Sequence, residues 1–270
     1  MDKTLTKSPD AAPDGVRGAQ LVSRVGRVLR AVAEHPEGIS TTALAHATGL
    51  TRPTAHRLLA SLAVEGFVDH DRPQGRWLLG PELYLLGSLA ADRYDITAAA
   101  RQSVQLIARE TGESAFLSAR RGTESVCLLR EEGSFPLRSH VLYEGVRFPL
   151  GVASAGLAML SFLPDDEIDT YLDRHGDDLA ERWGAEHGPA ALRDRIAVTR
   201  ETGYAVNPAL ILEGSWGMGA AVFDASGRPA WALSITGVES RYRDDRRPEL
   251  GRLLLGQAHA LTRRLAQPRP

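Results

Sequence analysis

Five residues in the stretch TRPTAHRLLASL, positions 51–62, have the chemistry to read nucleic acid: Thr51, Arg52, Thr54, His56 and Arg57. An arginine forks onto the acceptor edge of a guanine, while hydroxyl and imidazole groups make single bonds to bases or phosphates. Ordinary surface helices carry the same donors, so the surrounding residues must decide. Ala55, Leu58, Leu59 and Leu62 fall at the i, i+3, i+4, i+7 spacing of one buried stripe. Arg57 points most directly away from that stripe and Arg52 stands at the helix start, which makes these two the base-reading candidates. Threonine is a good N-cap, and the residue before Pro53 avoids helical backbone, so the helix begins at Thr51 or Arg52. Just beyond it, Arg72, Gln74 and Arg76 surround a polar turn and suit backbone or minor-groove contact.

A second group lies far along the chain. In WALSIT, residues 231–236, strand alternation puts Ala232, Ser234 and Thr236 on one face and Leu233 and Ile235 on the other. Hydroxyls so arranged ordinarily face water. In SAGLAML, residues 154–160, Ser154 and the backbone N–H groups of Ala155 and Gly156 open a helix that could seat a carboxylate. Reading Ser154 as a plain N-cap is equally good. Catalysis finds no such support. No serine lies in a nucleophile-elbow pattern, and the eight histidines show no ligand spacing. The glycines of GSWGMG open a strand and not a helix, which argues against a phosphate cradle. The single cysteine, Cys127, excludes an internal disulfide and a cysteine-rich metal site, and within ESVCLLR it reads as an inert buried thiol. No catalytic residue, metal or cofactor is expected.

Around these groups the chain is that of a soluble globular protein of one or two domains, with 270 residues of which 43% are hydrophobic. Its net charge of −2 is unevenly spread. Residues 17–80 hold eight Arg, no Lys and five acids, a balance of +3, against −1 for residues 1–16 and −4 for residues 81–270. A basic N-terminal piece on an acidic body fits a small nucleic-acid-binding domain joined to something else. One cysteine, and no stretch near the roughly 20 apolar residues of a membrane span, set a cytoplasmic, non-membrane expectation. Residues 1–17 begin MDKTLTKSPDAAPDG, lack an apolar signal core, and read as a disordered tail.

The elements that must position the candidates follow from periodicity. LVSRVGRVLRAVAE, residues 21–34, forms a first helix that stops at HPEG. ISTTALAHATGL gives a short second helix with Ser40 as N-cap and Gly49 as stop. The 51–62 helix comes next, then GFVDHD and RWLLG as a hairpin around RPQG. That order is a winged helix-turn-helix over residues 18–80. PELYLLGSLAADRY predicts a linker helix within 81–95. Over 96–267 helices are expected near 96–111, 153–162, 165–175, 189–202 and 244–265. Strands are expected at AFLSAR, SVCLLR, 138–142, MGAAVFD and WALSIT. Hairpin-linked strands with helices around them argue for an α+β domain on an antiparallel sheet.

Several longer pieces carry a recognisable order and spacing: ALAHATGLTRPTAHRLLASLAVEGFV, WLLGPELYLLG, ARETGESAFLSARRG, YEGVRFPLGVASAGLAMLSFLPDDEI, RETGYAVNPALILEG and MGAAVFDASGRPAWALSITG. Together, from about Gly18 to Leu265, they resemble the IclR family of bacterial transcription regulators. The resemblance implies a winged helix-turn-helix followed by a GAF/PAS-like effector-binding domain, acting as a homodimer or homotetramer on double-stranded promoter DNA. It implies an effector pocket at Ser154, Ala155, Gly156, Ser234 and Thr236, completed by Ser215, Gly217 and Met218 on the neighbouring strand, with Asn207 as a further contact. Two positions depart from the family pattern: Gly217 stands where a Cys is frequent and Asn207 where an acid is common. With Trp216 and Met218 alongside, the missing Cys is expected to widen and soften the pocket. The expected effector is a small organic acid, aromatic acids included, and not a sugar phosphate, because no converging pair of Arg or Lys is visible. The function expected from the resemblance is repression of a catabolic operon, relieved by the effector. An activator, or a regulator whose C-terminal domain serves assembly alone, is the alternative.

Overall fold

The computed structural model describes residues 17–94, 96–137 and 141–267. Residues 1–16 of the expected tail lie outside them, and Arg17 already opens a helix. The chain divides into two compact units, Met1–Tyr94 and Asp95–Pro270.

In the first unit α1 (Arg17–Ala33) buries Val28 and Val32 against α2 (Thr41–Thr48) and α3 (Arg52–Val64). The Ser40 hydroxyl caps α2 by accepting from the Ala43 N–H at 3.2 Å. Gly49, at φ 66°, ends it in the left-handed region, where a side chain would strain the backbone. That sharp stop is what turns α3 away from α2. A three-stranded antiparallel sheet in the order β1-β3-β2 completes the unit, from β1 (Ile39–Ser40), β2 (Val68–Asp71) and β3 (Arg76–Leu79). The strand β1 is too short to show an alternation and was not expected. Trp77 of β3 is buried, and its indole N–H donates to the Thr41 hydroxyl at 3.0 Å, tying the wing to α2. The linker helix α4 covers Pro81–Tyr94.

The second unit is a six-stranded antiparallel sheet in the order β6-β5-β4-β9-β8-β7. Its strands are β4 (Ser114–Arg121), β5 (Glu124–Glu131), β6 (Arg147–Pro149), β7 (Ala205–Pro208), β8 (Ser215–Phe223) and β9 (Pro229–Val238). Two local hairpins, β4–β5 and β8–β9, are joined side by side through β4 and β9. Alternation along the strands divides the core. Phe116, Cys127 and Ala232 pack with α6 (Ser154–Ser161), α7 (Asp165–Trp183) and α8 (Pro189–Thr202). Leu117, Leu233 and Ile235 pack on the other face with α5 (Ile96–Thr111) and α9 (Arg247–Ala266). Each such fully buried aliphatic side chain stabilises by about 1.5–3 kcal/mol.

Three expectations change here. The strand placed at 138–142 falls partly on residues 138–140, outside those described, and Val141 and Leu142 are not strand. A turn closed by the Val146 N–H on the Tyr143 carbonyl comes first; Gly145 and Val146 then bond to Cys127 of β5, and β6 continues the pairing from Arg147. The helix expected to end at 175 runs on to Trp183 because Leu179 joins Ile168 and Leu172 in the core. The edge strand β7, four residues long, was not foreseen.

One buried charge fixes this unit. Glu113, at the turn between α5 and β4, is 2% exposed and accepts from Arg241 Nε at 2.8 Å and Arg246 Nη1 at 2.9 Å. It ties the start of β4 to the segment leading into α9.

Candidate nucleic-acid interface and ligand cavity

The first turns of α3 present Arg52, His56 and Arg57 to solvent, with Thr51 exposed and Thr54 half-buried beside them. Behind them Ala55 and Leu59 are completely buried and Leu62 nearly so. The outward set therefore stands on a fixed stripe. Thr51 does not cap the helix with its side chain, as expected of it; its hydroxyl pairs instead with that of Thr54 at 2.9 Å. The N–H groups of the first turn thus receive no side-chain acceptor from the cap, an arrangement favourable to a phosphate. His56 is also positioned from below, its ring edge-on to Trp77 at 6.3 Å between centroids. In the wing, Arg72, Gln74 and Arg76 are all exposed. Arg76 is partly engaged, donating through Nη1 to the Glu37 carbonyl at 2.9 Å, while Arg72 and Gln74 occupy the turn itself.

In the second unit, Ser154, Asn207, Ser215, Gly217 and Thr236 line one cavity. Ser234 is on the same face of β9 and fully buried, but unlike Thr236 it does not line the cavity. The hydroxyls of Ser234 and Thr236 are buried and have no hydrogen-bond partner among the described residues. Asn207 is buried and held by both ends of its amide: Nδ2 donates to the Val152 carbonyl at 2.5 Å and Oδ1 accepts from the Leu210 N–H at 3.1 Å. It therefore fixes the turn after β7 over the cavity.

Four further expected members do not fit as foreseen. Met218 points to the opposite face of the sheet, into the α5–α9 core, because neighbouring residues of a strand alternate. Ala155 and Gly156 are buried within the packing of α6 and do not line the cavity. Ser154 is not the cap of α6; Ala153 holds that position and Ser154 is the first helical residue. Nor is the pocket widened by Gly217. A Cβ there would sit 3.0 Å from the Ser154 hydroxyl, and one on Gly219 3.0 Å from the Ser154 backbone, so these glycines let α6 approach β8 closely. The resulting cavity holds only about 20 Å³, room for about one water. Sequence reasoning missed Val141, Leu142, Ala153 and Ile211 as lining residues. Isolated apolar residues in loops carry no periodicity by which to find them.

The thiol of Cys127 is buried in the same layer and pushed up to about 12, chiefly by desolvation and then by Glu144. It is protonated and unreactive at neutral pH.

Comparison with known proteins decides what carries these two sites. The family description "Bacterial transcriptional regulator IclR C-terminal" matches residues 88–263, and "IclR helix-turn-helix domain" matches residues 21–72. The chain belongs to the IclR family. It is 29% identical to the HTH-type transcriptional regulator KipR of Bacillus subtilis, over 86% of this chain and 91% of that protein. It is 27% identical to the acetate operon repressor of Salmonella typhimurium, over 95% of this chain and 94% of the repressor. The crystal structure of the IclR transcriptional regulator from Alicyclobacillus acidocaldarius shares the fold, with a TM-score of 0.76 at 24% identity, covering 91% of this chain and 98% of that one. IclR proteins are DNA-binding transcriptional regulators and not enzymes. No described helix is long and apolar enough to cross a membrane.

Proposed function

We propose that this IclR-family regulator represses a catabolic operon and releases its promoter on binding a small organic acid. The observation that carries the effector reading is the pair of buried, unpartnered hydroxyls on Ser234 and Thr236. A buried donor without a partner costs about 1–3 kcal/mol, and a carboxylate or hydroxyl on a ligand would remove that cost. At about 20 Å³ the cavity admits such an acid only if its walls part. The wall on the β7 side is the turn that Asn207 holds through Val152 and Leu210. Effector entry and movement of that turn are then one event, which is what a sensor needs: a ligand shifts an equilibrium only through its different affinity for the two states. Repression is supported by relatives named as repressors.

On the DNA side, Arg52 and Arg57 read bases, while Thr51, Thr54, His56 and the wing residues Arg72, Gln74 and Arg76 contact the backbone or add single bonds. The protein acts as a homo-oligomer. The exposed apolar side chains of α4, among them Tyr84 at 77% and Leu89 at 82% exposure, suit a second copy. Two heads then read two half-sites, and a ligand-driven change in their spacing would lower affinity about 5- to 150-fold.

The test is a titration of the DNA preceding the protein's own gene, with and without a panel of small organic acids. Wild type should lose affinity with one or more acids. The variant Ser234→Ala with Thr236→Val should bind the same DNA equally well and not respond. A double variant that responds with undiminished effector affinity removes these hydroxyls from the sensor.

A further inference from the structure

A second cavity, of about 320 Å³, lies at the β7 edge of the sheet in the same unit, bounded by α8, β7 and the start of α9. Val206, Pro208 and Leu210 give it an apolar wall, and Trp216, Arg195 and Arg247 line it together with Thr199 and the acids Glu186 and Asp194. Its size falls at the lower end of the roughly 300–1,000 Å³ typical of small-molecule sites, and its make-up is theirs: mostly apolar, with a few placed donors.

The state of those donors is informative. Arg195 Nη1 makes two long bonds, each 3.3 Å, to the carbonyls of Gly151 and Glu186. Its Nε and Nη2 are buried and have no hydrogen-bond partner among the described residues. A guanidinium carries five N–H donors and cannot accept, so a buried one lacking an anion is left with an uncompensated cost. Desolvation pulls Arg195 down to about 10, with exposed Glu186 partly offsetting it. The Trp216 indole N–H is likewise buried without a partner. Arg247 differs: it stacks over the Trp216 ring, 5.3 Å from its centroid, and is paired with Asp244. Arg195 and Trp216, both in the cavity's lining, thus carry donors that are unsatisfied but covered, beside an apolar wall and an aromatic face.

We infer that this cavity is a second ligand site, separate from the first cavity, which takes a monocarboxylate with an apolar or aromatic body. The carboxylate meets the Arg195 guanidinium as it turns its covered Nε and Nη2 toward the cavity, and the body lies against Trp216, Pro208 and Leu210. Glu186 and Asp194 on the rim disfavour a dianion. Trp216 also lines the first cavity, and Arg195 holds the Gly151 carbonyl on the segment leading into α6. The two sites therefore share walls, and occupancy of one bears on the shape of the other. This inference does not depend on the effector reading of the first cavity.

The probe is benzoate, with benzamide as its neutral counterpart, titrated calorimetrically into the full-length protein. Benzoate should bind saturably and benzamide at least tenfold more weakly. Arg195→Met should weaken benzoate at least tenfold and erase its advantage over benzamide. Val198→Trp should also weaken benzoate at least tenfold, because Val198 lines the cavity from a half-exposed position on α8 where an indole fills the space without disturbing the core. That variant carries the test if Arg195→Met fails to fold, as circular dichroism would show. Ser234→Ala with Thr236→Val should leave benzoate affinity unchanged at this site. Two equivalents on wild type, one lost with each set of changes, supports the inference equally. It is overturned if wild type binds no benzoate, if binding survives the Arg195 and Val198 changes, or if only the Ser234–Thr236 variant loses it.

Discussion

On α3 the polar side chains stand outside a buried stripe: Arg52, His56 and Arg57 face water while Ala55 and Leu59 are completely covered. On β9 they stand inside: Ser234 is completely covered, Thr236 is 6% exposed, and neither hydroxyl has a partner. The first arrangement costs nothing while the site is empty, because water satisfies every donor. The second costs free energy until something satisfies it. A surface reader can therefore wait for DNA indefinitely, whereas an interior pocket of orphaned donors favours whatever completes it. Glu113 shows the interior case with the account closed, a buried carboxylate held by two arginines.

That contrast predicts very different penalties for removing polar groups. The largest belongs to Glu113. Glu113→Ala strands Arg241 and Arg246 and should destabilise by about 3–5 kcal/mol, read as a lower urea midpoint; a loss under about 1 kcal/mol would break the argument that interior partners matter.

Next is Cys127, buried and without a ligand to serve. With its thiol raised from 9.0 to about 12, alkylation of the folded protein at pH 8 should run on the order of a thousandfold slower than that of a free thiol. The linkage sign follows, since the folded state holds this proton more tightly than the unfolded chain. Its contribution is fully present below pH 9 and is lost as pH rises from 9 through about 12. Alkylation at the rate of a free thiol would show that the layer opens far more readily than its packing implies.

Arg57→Ala should cost about 1–3 kcal/mol on the cognate site, relax preference at one base position, and leave the unfolding midpoint unchanged. Unaltered specificity would take Arg57 off the base-reading face. The smallest loss is expected where sequence reasoning alone would fear a large one. Ser234→Ala with Thr236→Val should cost no stability and should instead gain about 1 kcal/mol or more, because no existing hydrogen bond is lost and two unpaired buried hydroxyls are removed. A loss of 2 kcal/mol or more in thermal unfolding would mean that these hydroxyls already have partners.

Much of the frame was readable from residue order. The 3.6-residue stripe of α3, the Ser40 cap and the Gly49 stop are local, and the structure repeats them. The helix over 189–202 matches α8, bounded by a proline at its start and Gly203 at its end. Local rules failed where a distant partner made the choice. The helix α7 outruns residue 175 because Leu179 finds the core, and β7 is a strand only because β8 lies beside it; Thr51 alone departs for a partner close in sequence, the Thr54 hydroxyl.

The site shows the same division. Strand alternation placed Ser234 and Thr236 on one face of β9, but which face met α6 depended on β4 and β8 pairing on either side of it. Met218 went to the opposite core for the same reason. The closeness of α6 to Gly217 and Gly219, and with it a cavity of about 20 Å³ where a widened one was expected, arises between segments some sixty residues apart. Arg195 and Arg247 meet at one cavity only because α8 and α9 converge on the β7 edge. The sequence by itself determined which residues could turn outward, since periodicity and capping act within a few residues along one element. Only the tertiary structure decided which inward-facing polar groups share a space and which are left without partners, because that depends on the packing of elements distant in the chain.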